Sequence, residues 1–199
     1  MAYPFESPAE SFRELVKPLH DLAYTDTPFR EDFPTRLPTG GAYDLDKIKD
    51  RVCAYRSKNA RAPLRSADAL LMGEDGGELA YCFIEFKNQR VDNIQSGKDP
   101  GQNELLQKAF DSLAIVAMTF GRASAMKDIQ GRSTFIVVYP EQDYSERFLE
   151  ALNQCAYNRP LWGLDKLEDN GFYRKILTIH NGDFCRMALP FAALSRTSE

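Results

Sequence analysis

Apolar residues recur along this chain with two different spacings, and each spacing predicts a different kind of element. Helices are predicted where apolar residues return at every third or fourth position, which is the period of one helical face. Four segments follow this pattern: about 8–23, 44–57, 102–121 and 145–157. Strands are predicted where apolar and β-branched residues alternate or form a short continuous run. Four segments follow this second pattern: 65–72, 78–87, 133–140 and 172–179.

Glycine and proline mark where these elements end or bend. The cluster Gly73–Gly77 contains an Asp-Gly pair and predicts a tight hairpin turn between the strands on either side of it. Pro18 removes a backbone donor inside the first predicted helix, so this helix is expected to kink or split there. Residues 25–43 contain three prolines and two adjacent glycines, which predicts an irregular connector. A short helix is expected after the last strand.

The order of the elements predicts the fold class. Two helices are followed by a strand, a turn, a strand, a helix, a strand, a helix and a strand. A hairpin followed by a helix and a further strand implies a mixed sheet. We therefore expect an α/β (α+β) protein with a mixed central β-sheet flanked by helices. The 199 residues are enough for one large domain.

Composition narrows the class of protein. Hydrophobic residues make up 43% and charged residues 27% of the chain, which excludes an intrinsically disordered protein. The longest apolar stretches, at 113–118 and 135–139, are much shorter than the roughly 20 residues that span a bilayer. The first ten residues carry no basic region followed by an apolar one, as a secretory signal would. We therefore expect a cytoplasmic protein without a membrane segment.

Cysteine and histidine are too sparse to predict a zinc site or a disulfide framework. The four cysteines are 29, 73 and 30 positions apart, and only two histidines are present. Free, buried thiols are the expectation for a cytosolic protein. His180 follows the last predicted strand, and we interpret it as a strand-end residue rather than a catalytic base.

Charge is distributed unevenly along the chain. The formal net charge is −4, whereas domains that bind nucleic acid nonspecifically are usually basic. Residues 49–65 nevertheless hold six basic residues against one acidic residue, and residues 141–170 hold three basic residues against seven acidic ones. The first segment is either a phosphate-attracting surface or an ordinary solvated helix and loop. On charge alone, the two interpretations have equal weight.

The predicted hairpin strands carry the candidate chemistry. Because side chains alternate along a strand, Glu85 and Lys87 share one face, which is otherwise apolar. The hairpin is expected to bring Asp68 to the level of residues 82–84, close to Glu85. Two neighbouring carboxylates repel each other and attract a cation, and hard oxygen ligands suit Mg²⁺ or Mn²⁺. The alternative is a structural ion pair between Glu85 and Lys87 at a strand end.

In this order, these residues resemble the PD-(D/E)XK nuclease superfamily, which includes restriction endonucleases and Holliday-junction resolvases. Asp68 matches the acid of the second core strand, and Glu85 and Lys87 match the E-x-K of the third. The resemblance implies a restriction-endonuclease-like fold, catalysis by these three residues, and Mg²⁺ (or Mn²⁺) as the cofactor. It also implies a nucleic-acid substrate, either DNA or RNA. Many such nucleases dimerise to cut two strands, so a homodimer is compatible with it.

The resemblance implies how the chain is organised. A nuclease-like core covers roughly 44–140 of a single domain, with an N-terminal helical extension over 1–43 and a C-terminal addition over 141–199. The usual first core strand before Asp68 is not evident, and Ala67 stands where many members have proline.

Further ligands and positive charges are implied in the same way. The family commonly uses the backbone carbonyl of the middle E-x-K residue as a metal ligand, which here is Phe86, beside Asp68 and Glu85. Many members also carry an acid on the first helix, and the candidates here are Glu14 and Asp50. The basic residues expected to contact nucleic acid come from the 49–65 segment: Arg56, Lys58, Arg61 and Arg65.

The helix after the E-x-K often supplies an accessory residue in this family. The candidates here are Gln102 and Lys108. Considered by itself, Lys108 flanks the apolar stripe of its helix, and the preferred interpretation is a lysine whose stem packs and whose ammonium reaches solvent.

The sequence leaves three functions open. The first is a metal-dependent hydrolase that cleaves phosphodiesters in DNA or RNA. The second is a catalytically inactive nuclease-like fold that serves as a binding or scaffold protein through residues 141–170 or the late strands. The third is a protein-interaction domain unrelated to nucleases.

Overall fold

One mixed sheet organises the part of the chain that can be described. A computed structural model describes residues 12–23, 41–56, 64–87, 101–120, 125–139 and 160–187. These residues form six strands: β1 (Val16–Pro18), β2 (Gly41–Asp44), β3 (Ala69–Asp75), β4 (Glu78–Phe86), β5 (Ser133–Tyr139) and β6 (Lys175–His180). The strands lie side by side in the order of the sequence. The three neighbouring pairs β1–β2, β2–β3 and β3–β4 are antiparallel. The pairs β4–β5 and β5–β6 are parallel.

Helices connect the strands and cover both faces of the sheet. Within the described ranges they are α1 (Leu19–Ala23), α2 (Leu45–Arg56), α3 (Gly101–Phe120), α4 (Ala125–Gln130), α5 (Asp165–Asp169) and α6 (Asn181–Arg186). Single 3-10 turns lie at Arg13–Leu15 and Leu161–Gly163. The predicted fold class, a mixed central sheet flanked by helices, is confirmed.

The alternation of side chains along β4 separates two buried cores. Phe83 faces a core that includes Leu105 of α3 and Leu45 of α2. Cys82 and Ile84 point to the opposite face, where the packing residues include members of α1 and α6. Both faces are apolar because β4 is covered on each side, which explains its nearly continuous apolar sequence. Glu85, which lies in this covered part of the strand, is therefore buried as well.

A two-glycine turn fixes the register between β3 and β4. Gly76 and Gly77 both have positive φ, at 64° and 83°, which is the backbone of the primed turns that suit hairpins. The pairing runs from Asp75 opposite Glu78 to Ala69 opposite Ile84. The turn therefore lies at the end of the predicted cluster Gly73–Gly77, and β3 begins and ends later than the predicted 65–72.

An aspartate cap sets the start of α2. Asp44 accepts the N–H of Lys47 at 3.0 Å, and its carboxylate also lies 2.7 Å from the ammonium of Lys17 on β1. This satisfies one of the donors that a helix start leaves open. It places Asp46 in the first turn of α2.

The N-terminal prediction of one helix over 8–23 was wrong in its described part, although the expected interruption at Pro18 is present. Instead of one helix over 8–23, the chain forms a 3-10 turn, the short strand β1 and then α1. Pro18 ends β1, because it lacks the N–H that a longer ladder would require. Residues 41–43, which were predicted to end an irregular connector, belong to strand β2. This strand pairs with β3 and comes before α2 in the chain. The predicted helix over 145–157 lies outside the described residues.

Other elements follow the prediction within a few residues. The observed α3 is shifted by one residue from the predicted 102–121, and the late strand starts three residues later than predicted. Three cysteines are free thiols, namely Cys53, Cys82 and Cys185, while Cys155 lies outside the described residues. Burial raises the pKa of Cys82 to about 12. None of the described helices is both long and apolar enough to cross a membrane.

Candidate functional site

Asp68 and Glu85 face each other across the β3–β4 hairpin. Ala69 pairs with Ile84, so Asp68 and Glu85 occupy the next position of the same ladder. One carboxylate oxygen of Asp68, Oδ2, accepts the backbone N–H of Phe86 at 2.7 Å. The predicted proximity of the two carboxylates is confirmed, although Asp68 lies opposite residue 85 and not at the level of residues 82–84.

The carboxylate of Glu85 is almost completely buried and carries two ion pairs. Its side chain is 1% exposed. The ammonium of Lys108 lies 2.8 Å from Oε1 and 2.9 Å from Oε2, and the ammonium of Lys87 lies 3.1 Å from Oε1. Burying a carboxylate is expensive unless partners replace the lost water. Two lysines from different elements supply that replacement here.

Lys108 comes from α3 and reaches both carboxylates. Its ammonium is 4.0 Å from Oδ1 of Asp68, and its side chain is only 17% exposed. The preferred interpretation of Lys108 as a lysine whose ammonium reaches solvent was therefore wrong, because the ammonium turns inward to Glu85 and Asp68. Burial by itself would lower the pKa of Lys108, but the charges of Glu85 and Asp68 outweigh it and raise this pKa.

Asp68 is held in an environment that disfavours its charge. Burial, and next the charge of Glu85, raise the pKa of Asp68 well above its usual value. The charge of Lys108 and the hydrogen bond from Phe86 act in the opposite direction and only partly offset them. A buried carboxylate beside a second carboxylate is the arrangement that favours an added cation or a retained proton.

A third carboxylate, which the sequence did not single out, lies at the edge of this cluster. Asp46 accepts the hydroxyl of Ser66 at 2.5 Å and pairs with the ammonium of Lys49 at 2.7 Å. Burial would raise the pKa of Asp46, but these two contacts lower it, and its charge acts on both Asp68 and Lys108. Its position in the first turn of a helix that precedes the hairpin is the signal that could have found it.

The two candidates for an acid on the first helix, Glu14 and Asp50, have ion-pair partners outside the Asp68–Glu85 cluster. Glu14 lies outside any α-helix and pairs with Arg51 at the surface, where this contact lowers its pKa. Asp50 has a side chain that is 63% exposed and pairs with Lys49 at 3.8 Å. Asp46 is the acid of α2 that acts on the cluster.

Of the four residues predicted to contact nucleic acid, only Arg65 has a described side chain. Its guanidinium lies 2.8 Å from Glu104, and its backbone N–H donates to Asp111 at 2.9 Å. Both acids belong to α3, and the side chain of Arg65, whose guanidinium pairs with Glu104 alone of the two, is 48% exposed. Arg56 ends α2, but its side chain lies outside the described part of the chain, as do Lys58 and Arg61.

The remaining predicted contacts are partly defined. Gln102 lies in the first turn of α3, and its side chain is not among those described. Phe86 presents its N–H to Asp68, and its ring packs edge-on against Phe184 on the other face of the sheet, with 5.9 Å between ring centroids.

The donor set fits a cation held by two carboxylates, with the remaining positions left to water or substrate. Asp68 and Glu85 supply hard oxygen ligands of the kind that Mg²⁺ and Mn²⁺ use together with phosphate oxygens. Among the described residues, no group of three or more histidine, cysteine, aspartate or glutamate side chains is arranged to hold a metal. Lys108 contacts both oxygens of Glu85, so its ammonium and a metal ion would compete for the same ligand.

Known proteins give no guide to this site. Comparison of the chain with protein-family models, with curated proteins and with solved structures gives no match.

Proposed function

We propose that this protein is a metal-dependent phosphodiester hydrolase that acts on nucleic acid. The observation that carries the proposal is the cluster formed by the buried Glu85 and the partly buried Asp68 and Lys87 at the open end of one hairpin, with Lys108 facing it. A cluster of four charges at the end of an apolar sheet is costly for stability alone, and a carboxyl group whose pKa is shifted beside other charges, as that of Asp68 is, is typical of functional sites.

Each residue of the cluster has a distinct part in this proposal. Asp68 and Glu85 would hold Mg²⁺ or Mn²⁺, with the Phe86 carbonyl as the expected third protein ligand. A bound metal of this kind lowers the pKa of water and stabilises charge on a phosphoryl group. Lys87 places an ammonium beside Glu85, where it can neutralise charge on a substrate phosphate. Lys108 must release at least one oxygen of Glu85 before that oxygen can accept another cation.

A second candidate function is a catalytically inactive nuclease-like fold that serves as a binding or scaffold protein. The contact of Lys108 with both oxygens of Glu85 favours it, because an internal ammonium already neutralises that carboxylate. In this case the cluster is a structural ion-pair network, and divalent metals have no preferred site.

Thermal unfolding in the presence of Mn²⁺ and Mg²⁺ separates the two candidates. A ligand that binds only the folded state raises the melting temperature once its concentration passes the dissociation constant. The hydrolase predicts a rise for the wild-type chain that is lost in Glu85→Gln and Asp68→Asn. The matched control is Glu78→Gln, which removes an exposed carboxylate at the other end of the same strand.

Cleavage assays complete the test with single-stranded and duplex DNA and with RNA. The hydrolase predicts metal-dependent cleavage that is lost in Glu85→Gln and Lys87→Ala and kept in Glu78→Gln. Cleavage that persists in both site variants would sink the hydrolase. An absent metal shift together with absent cleavage would establish the inactive fold as the better description.

A further inference from the structure

Three parallel strands end at the same edge of the sheet as the Asp68–Glu85 cluster. Phe86 pairs with Val138, and the N–H of Lys87 donates to the carbonyl of Val138 at 2.7 Å, so the ladder continues to the level of Tyr139. Tyr139 pairs in turn with His180 at the end of β6. Lys87, Tyr139 and His180 therefore form one row across the three strand ends. Ligands of open α/β sheets bind outside the carboxyl ends of the strands, which is where this row lies.

The row carries aromatic side chains beside the charged cluster. The ring of Tyr139 meets the ring of Trp162 edge-on at 6.0 Å and the ring of His180 at 6.5 Å between centroids. Tyr139 and Trp162 are almost fully buried, at 7% and 6% exposure. The side chain of His180 is 29% exposed. His180 is therefore the part of this aromatic group that solvent, or a ligand, can reach.

The backbone of Trp162 is strained at the point where its ring packs beside this row. Trp162 has a φ of 62°, in the left-handed region that a bulky residue rarely adopts, and Gly163 follows with a φ of 68°. The backbone N–H of Leu161 donates to the hydroxyl of Thr178 on β6 at 3.1 Å, which ties the turn to the sheet. Strain of this kind persists only where the surrounding structure enforces it, and it concentrates at ligand-binding positions.

The two ring nitrogens of His180 are both engaged by Asp183. Nδ1 accepts the backbone N–H of Asp183 at 3.3 Å, and Nε2 lies 2.7 Å from its carboxylate. This arrangement fixes the ring orientation and leaves neither nitrogen free to act as a base while the contacts persist. What His180 offers to a ligand is its ring, which Tyr139 contacts in an edge arrangement.

We propose that His180, supported by Tyr139 and Trp162, is a stacking platform for a nucleobase that flanks the phosphate at the Asp68–Glu85 cluster. This inference rests on the proposed function and narrows its substrate to single-stranded or locally unstacked nucleic acid. The ring lies two strand spacings from β4, roughly 10 Å, which is within reach of a nucleotide next to the reacting one. Stacking on aromatic or histidine rings is how proteins bind bases that no longer pair.

The same histidine also caps α6, and the experiment separates this structural contribution from stacking. His180→Phe keeps a flat ring and removes the cap, whereas His180→Asn keeps a capping side chain and removes the ring. Both variants are compared with the wild-type chain in melting temperature and in binding to fluorescein-labelled oligodeoxythymidylate of twelve nucleotides. A blunt duplex of the same length is the second probe. Anisotropy is measured in EDTA, and again with Mn²⁺ in the Lys87→Ala background.

The platform predicts that His180→Asn raises the Kd for the single strand about tenfold, as loss of a base-stacking contact does elsewhere. His180→Phe should remain within about twofold of wild type, even though its melting temperature falls, because the ring still offers a stacking surface. The wild-type chain should also prefer the single strand to the duplex. An unchanged Kd in His180→Asn, an equal loss in both variants, a preference for duplex, or no binding would each overturn the platform.

The metal-shift and cleavage assays on the same preparations keep the two proposals apart. Glu85-dependent cleavage with an unchanged Kd in His180→Asn would leave the hydrolase standing and remove only the platform. The predicted pattern of Kd values without metal binding or cleavage would keep the platform on a protein that binds nucleic acid and does not cut it.

Discussion

The ammonium of Lys108 contacts both carboxylate oxygens of Glu85, at 2.8 and 2.9 Å, across 23 positions of the chain. The contact joins the middle of α3 to the carboxyl end of β4. Lys87 adds a second ammonium to the same carboxylate. Glu85 is therefore the residue of the cluster that both lysines contact.

Lys108→Met is expected to lower the free energy of unfolding by about 3 kcal/mol, since removing one partner leaves a buried carboxylate poorly neutralised. The double variant Lys108→Met/Glu85→Gln should recover part of this loss, because the side chain at position 85 is then uncharged, although Lys87 loses its ion pair with Glu85. Urea denaturation of the wild type, both single variants and the double variant gives the coupling energy. Strictly additive losses would contradict the pairing.

Lys108→Met is also expected to lower the Mn²⁺ concentration that half-saturates the thermal shift. The ammonium and the metal use the same oxygens of Glu85, so removing the ammonium removes a competitor. Lys108→Arg keeps a positive charge at this position and is the control. Weaker Mn²⁺ binding in Lys108→Met would mean that Lys108 organises the carboxylates and does not compete for them.

Asp68→Asn is expected to stabilise the metal-free protein at neutral pH. Because the folded-state pKa of Asp68 lies above its unfolded value, the folded state holds this proton more tightly. The wild type therefore loses stability as pH rises from the unfolded pKa, about 4, up to the raised folded pKa. Asn can still accept the N–H of Phe86 and has no proton to lose.

The difference in stability between Asp68→Asn and wild type should consequently grow with pH across that window and become constant above it. Urea denaturation at a series of pH values, with EDTA present, measures this difference. A difference that is independent of pH would show that Asp68 has the same pKa in the folded and unfolded chain.

Gly76→Asn is expected to leave stability unchanged or to raise it by roughly a few tenths of a kcal/mol, whereas Gly76→Val should cost about 1–2 kcal/mol. Gly76 has a φ of 64°, and the space into which a side chain would project is open, so only the backbone conformation discriminates between the two residues. Thermal unfolding compares them. Equal melting temperatures for both variants would argue against the positive φ at this position.

Most of the strands, and α3, could be predicted from the sequence because their periods reflect burial directly. Alternation along 78–87 placed Glu85 on the same face as Lys87, and the turn glycines placed Asp68 near it. The offset in register came from the turn, since a shift of a single position in the turn changes every pairing that follows. Local sequence patterns predict which face of the sheet a side chain lies on more reliably than they predict which residue it pairs with.

Lys108 and Asp46 could not be assigned in the same way. A lysine at the flank of an amphipathic helix either reaches solvent or turns inward, and the choice depends on how α3 lies on β4. The position of the Asp46 side chain depends on where the cap at Asp44 starts α2 and on its contact with Ser66 from another segment. These are tertiary relationships between separate elements, which no single window of sequence contains.

The hairpin register also has a consequence for the order of folding. Asp68 and Glu85 meet when one short, local hairpin closes, whereas Lys108 arrives only after α3 has docked on the sheet. Local contacts have the lower entropic cost and are expected to form first. Two like charges would then approach each other with only Lys87 beside Glu85, before Lys108 is in place. Hairpin closure is therefore expected to be faster in mild acid, where protonation of the carboxylates removes this repulsion. The complete charge cluster is expected to form late in folding, when α3 docks on the sheet.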